Sequence, residues 1–112
     1  MDEITKNWKF DDFLLFILIY AAFADLKITD DEKGLIISKF GEARFNEKLN
    51  LFKNNTDFDN FMILHEFKDN FLEDNKNLDK VMNSVKEIFY ADGDFSTNER
   101  NVEIAIKSIL EN

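Results

Sequence analysis

The chain has no cysteine, no proline, only three glycines and a single histidine. Without cysteine there can be no disulfide, no thiolate nucleophile and no cysteine-based zinc site. That fits a reducing compartment. A domain built of many tight β-turns would draw on more glycine and proline than this. The three glycines, Gly34, Gly41 and Gly93, stand apart, so there is no glycine-rich phosphate loop. No serine sits in a Gly-x-Ser-x-Gly elbow. One histidine, His65, cannot form the His pair that a helical zinc site needs. As a general base it would need a reacting group in a cleft, and no motif supplies one. These absences point away from catalysis.

Long apolar runs and basic charge are also scarce. The most apolar stretch, Phe13 to Ala24, is 12 residues, well short of the ~20 that cross a bilayer. Asp2, Glu3, Asp11 and Asp12 precede it where a signal peptide would be cationic. We therefore expect no membrane insertion and a cytoplasmic location. The formal net charge is −9. Phosphate backbones are bound by Lys and Arg, so a nucleic acid is not an expected partner. A basic protein surface or a divalent cation would be attracted.

What is present reads as a single helical domain. The chain has 112 residues, 45% of them hydrophobic and 33% charged, enough to bury a core without staples. Leu78, Val81, Met82, Val85 and Phe89 recur at helical spacing, as do Val102, Ala105, Ile106, Ile109 and Leu110. The pattern predicts about six helices, from Asp11 to Ala24, Asp30 to Phe45, Asn46 to Lys53, Asp57 to Leu72, Leu78 to Ala91, and Thr97 to Leu110. The first is apolar nearly all round and should be the buried centre. Short links rich in Asn, Asp and Thr join them. No linker divides the chain, so residues 1–112 form one domain with a core over about 10–110. Phe58, Phe61, Phe67 and Phe71 recur at roughly helical intervals. Core packing is the favoured reading of these rings, ahead of an aromatic pocket.

One feature repeats. Ala24-Asp25-Leu26-Lys27-Ile28-Thr29-Asp30-Asp31-Glu32 aligns with Ala91-Asp92-Gly93-Asp94-Phe95-Ser96-Thr97-Asn98-Glu99. Each segment ends one helix and begins the next, dividing the domain into two pseudo-repeats. Thr29 with Glu32, and Ser96 with Glu99, have the spacing of capping boxes. Ile28 and Phe95 stand where a hydrophobic staple sits. Capping leaves Asp25 and Asp92 unexplained, because they stand at helix C-termini where the dipole opposes an anion. A turn hydrogen bond or a cation would explain them. Residues 92–99 match the second half of an EF-hand loop, but Ile88 and Tyr90 stand where the first half needs oxygen ligands, and Ala21 and Phe23 do so in the other copy. An EF-hand is excluded on ligand count. A simpler site built from Asp92, Asp94 and Glu99 is not.

Paired Ala-Asp-Gly-x-apolar-Ser/Thr-x-x-Glu segments, each joining two helices, resemble those of the TerB-like superfamily, named for tellurite resistance protein B. Ala91, Asp92, Gly93, Ser96 and Glu99 carry the second copy of the motif, and Ala24, Asp25, Thr29 and Glu32 the first. Leu26 replaces the glycine, and Lys27 stands opposite Asp94. The resemblance implies a compact all-helical bundle without enzymatic activity, acting in a stress or tellurite-resistance response. It implies a protein partner, in some relatives a membrane protein. It also implies a divalent cation (Ca, Mg, Mn or Zn) held by Asp25, Glu32, Asp92, Asp94 and Glu99. The alternative from charge alone is an acidic inhibitor or immunity-type protein that neutralises a basic partner.

Overall fold

A computed structural model describes residues 8–24, 29–71, 75–90 and 97–111. Within them the chain forms six α-helices and no strand: α1 Phe10–Ala24, α2 Asp30–Phe40, α3 Glu42–Asn54, α4 Asp57–Phe71, α5 Asn75–Phe89 and α6 Thr97–Glu111. They share one core. No helix among the described residues is long and apolar enough to cross a membrane.

The organising element is α1. Its residues from Phe13 to Ile19 are all buried, as are Ala21 and Ala22. A helix apolar on every side satisfies itself only when surrounded, and α1 packs against all five other helices. Ile36 of α2, Phe45 of α3, Leu64 and Phe67 of α4, Val81, Val85, Ile88 and Phe89 of α5, and Ile106 and Leu110 of α6 close the core around it. Aromatic rings knit one side. Trp8 lies 5.4 Å from both Phe16 and Phe67, and Phe52 of α3 meets Phe16, Tyr20 and Phe23 at 5.4–6.2 Å. Such tilted and edge-on pairs match the ring quadrupoles. The Cα radius of gyration is 13.0 Å, the ~13 Å expected of a compact domain this size.

The expected stripe on α5 is the one buried, with Leu78 at its margin. On α6, Ile106 and Leu110 are buried and Ile109 half-buried, but Ala105 is exposed. The side chain of Val102 lies outside the described residues.

Several helix boundaries differ from the sequence expectation, α5 for instance beginning at Asn75 instead of Leu78, and the largest shift lies between α2 and α3. The second helix was expected to run to Phe45, but α2 ends at Phe40 and α3 begins at Glu42. Gly41 forms the whole link, with φ 92° and ψ 149°. That conformation borders a region essentially closed to residues with a Cβ. The break is marked in the sequence only by that glycine.

Candidate functional site

Of the five carboxylates expected to hold a cation, the structure describes one side chain. Asp25, Asp92 and Asp94 lie outside the described residues. Glu99 belongs to α6, but its side chain also lies outside them, as do the junction segments 25–28 and 91–96. Glu32 is buried and occupied locally. Its Oε1 accepts from the Thr29 amide at 3.0 Å, while Thr29 Oγ1 accepts from the Glu32 amide at 3.1 Å. This is the capping box expected from sequence. Among the described residues, no three His, Asp or Glu side chains gather as a metal ion would require.

The same device recurs. At the start of α4, the Thr56 amide donates to Asp59 Oδ2 at 3.2 Å and the Asp59 amide to Thr56 Oγ1 at 3.1 Å. At the start of α1, the Lys9 amide donates to Asp12 Oδ2 at 3.0 Å. In each case the acid stands at the third helical position and reaches back to the residue before the helix. A carboxylate there satisfies an orphan amide and meets the positive end of the helix dipole. By position Glu99 is the equivalent residue of α6.

Asp12 does more than cap. Its other oxygen accepts from Arg44 at 3.2 Å and Lys48 at 3.1 Å, both on α3. Lys48 is only 3% exposed. Its ammonium also meets Glu47 at 3.0 Å and lies 5.2 Å from the Trp8 ring centre. Partial burial pushes the Asp12 carboxyl up, but the Lys9 amide, Lys48 and Arg44 outweigh it and hold it below its ordinary value. This knot fastens α1 to α3. All its members serve one another, which marks it as structural.

The outer face of α4 has the opposite character. Asn60, Ile63, Leu64, Phe67 and Lys68 point inward. Asn60 fixes the rotation of the helix, because its Nδ2 donates to the Phe52 carbonyl at 3.1 Å and its Oδ1 accepts from Asn55 at 3.1 Å. Lys68 Nζ donates to the Ile109 carbonyl in the last turn of α6 at 3.5 Å. With that side buried, Phe58, Phe61 and His65 must face outward. Phe58 is 68% exposed and Phe61 37%. The His65 ring is exposed and lies nearly parallel to that of Phe61, at 13° with centres 5.9 Å apart. Asp57, Asp59 and Glu66 of α4 are also exposed, and the only Lys or Arg of α4, Lys68, is buried against α6. Asp57 also acts inward: burial first, and then its charge, raise the Tyr20 hydroxyl above its ordinary value.

Reading Phe58 and Phe61 as core residues is thus corrected. At ~100° per residue, Phe58 and Phe67 fall on opposite sides of the helix. The recurrence of phenylalanine only resembles one stripe. The side chain of Phe71 lies outside the described residues. The missed signal was the pairing of those rings with Asp57, Asp59 and Glu66, residues that do not line a core.

A groove of about 290 Å³ runs between α5 and α6, lined in part by Asp79, Lys86, Glu103 and Lys107. Its charges alternate in sign, and Lys86 is paired with Glu103 at 3.6 Å. With Glu111 it carries three acids to two lysines, a mixed lining with little net charge to select a ligand. No protein-family model matches the chain, and neither a curated protein nor a solved structure shows significant similarity to it.

Proposed function

We propose that this chain is a non-enzymatic, TerB-like binding module whose ligand is a protein with a basic surface. One observation carries the reading. Phe58, and in part Phe61, are exposed on α4, a helix whose exposed residues also include Asp57, Asp59 and Glu66, in a chain of net charge −9. Exposed apolar surface rimmed by polar groups marks contact sites. The acids give that helix a sign, and opposite charge on a partner speeds encounter and fixes orientation. An inhibitor or immunity-type role uses the same physics. A stress-response setting remains part of the proposal through the junction motif.

His65 supports a binding role over a catalytic one. It is exposed on α4 and stacked on a phenylalanine. The engagement of Glu32 in its cap favours a protein partner over a divalent cation, because it gives that acid a complete local role.

Affinity capture at low and high salt, with the bound proteins identified by mass spectrometry, tests the proposal. The expected result is a basic protein that is released as salt rises. A partner that is neutral or acidic, or held equally at both salt concentrations, would overturn it.

A further inference from the structure

We propose that the outer face of α4 docks an arginine-rich segment of the partner protein, with Phe58 and Phe61 as stacking platforms. This rests on the binding-module reading and adds the surface and the chemistry of the occupant.

The argument starts from the chain's own rings. Four half-buried aromatic residues each carry a cation from the same chain. Lys48 lies over Trp8 at 5.2 Å, Lys80 over Phe10 at 5.3 Å, Lys53 over Phe23 at 5.9 Å and Arg44 over Phe40 at 5.9 Å. Cations and ring faces attract through the ring quadrupole. Phe58 and Phe61 are more exposed than the buried core rings, yet no cation among the described residues covers either. Phe61 meets His65 on one side. The α4 face therefore offers open ring surface together with the exposed carboxylates of Asp57 and Glu66, while Asp59 is engaged in the α4 cap.

That combination selects the occupant. A purely apolar partner would strand the carboxylates against a dry surface at a desolvation cost. The rings ask in addition for a planar cation that can lie flat on their faces. A guanidinium answers both demands: its planar face stacks on a ring while its N–H groups bond a carboxylate. An ammonium is a compact, strongly hydrated charge and stacks less well. Phe58 and Phe61 lie about one helical turn apart, and Asp57, Glu66 and the rings span ~13 Å of α4 at 1.5 Å per residue. A short segment with two or more arginines would bridge that length.

The test uses three fluorescein-labelled peptides of equal length: one arginine-rich, one with lysine and one with citrulline at the arginine positions. Binding to the full chain is followed by anisotropy. The expected order is arginine over lysine by about threefold, with citrulline weakest. Phe58→Leu keeps apolar area and removes the ring, so it should weaken the arginine peptide about fivefold and erase its advantage over lysine. Phe61→Ala should act likewise, while Ile104→Ala, an exposed apolar position on α6, should change nothing. Thermal melts confirm that each variant is folded. Failure of the arginine peptide to bind the unaltered protein would overturn the proposal. So would affinity unchanged in the double variant Phe58→Leu/Phe61→Leu. Neither result touches a salt-sensitive basic partner found by capture, so the broader reading stands or falls separately.

Discussion

The Lys48 ammonium sits 3.1 Å from an Asp12 oxygen and is itself almost wholly enclosed. A lysine so placed depends on its counter-charge. Removing one member of a buried pair leaves the other unsolvated. Asp12→Ala is therefore expected to destabilise the fold by about 2–3 kcal/mol, read by urea unfolding. Lys48→Met should cost less, because Asp12 retains Arg44 and the Lys9 amide.

The same carboxylate gives a pH signature. Its value in the fold is lowered from the ordinary 3.8, so its contribution is complete above the unfolded value and is lost as pH falls through the folded one. The stability gap between the natural chain and Asp12→Asn should be constant near neutral pH and close in the acid range below the ordinary carboxylate value. Unfolding curves at several pH values check this, and a gap that persists in strong acid would rule it out.

The two described glycines should respond to alanine with opposite signs. Gly34 lies inside α2, and a methyl group there meets nothing within 4 Å. Gly34→Ala should stabilise by about 0.5–1 kcal/mol. Gly41 also has free space for a methyl group, but its φ of 92° is strained for alanine. Gly41→Ala should destabilise by about 1–3 kcal/mol. Melting of both variants side by side gives the answer, and equal signs would contradict the assigned backbone.

The acidic junctions make a separate prediction. If Glu32 is fully used as a cap, Thr29→Ala should cost about 1 kcal/mol, and Thr56→Ala about the same. Both should do so equally in chelator and in Ca²⁺, Mg²⁺, Mn²⁺ or Zn²⁺. A cation held only by the folded chain would instead raise stability by ~2.7 kcal/mol at a hundredfold over its dissociation constant. Such a rise, lost in Asp92→Ala, would establish the cation reading.

The fold was largely legible because α2, α4 and α6 announce their own starts. Asp30, Asp57 and Thr97 open their helices as expected and the Thr29–Glu32 capping box is in place, whereas the caps made by Asp12 and Asp59 were not read. Boundaries written in caps survive into the structure. The α2–α3 break did not, because only a single glycine, Gly41, marks it, and an isolated glycine such as Gly34 also sits inside α2 without ending it. The burial of Lys48 could not be read either, since it depends on Asp12, 36 positions away. The α4 face was hidden by a coincidence of spacing: phenylalanine recurs on both sides of that helix, and only tertiary contacts through Asn60 and Phe67 reveal which side is covered.

The central place of α1 also governs how the chain is made. It leaves the ribosome before every helix that will enclose it. Until α6 has been synthesised, a greasy rod about 22 Å long lacks part of its jacket, and no earlier fragment can finish the job. Assembly must then wait for α6, and any delay in translation beyond α4 prolongs the interval in which nascent copies can stick to one another.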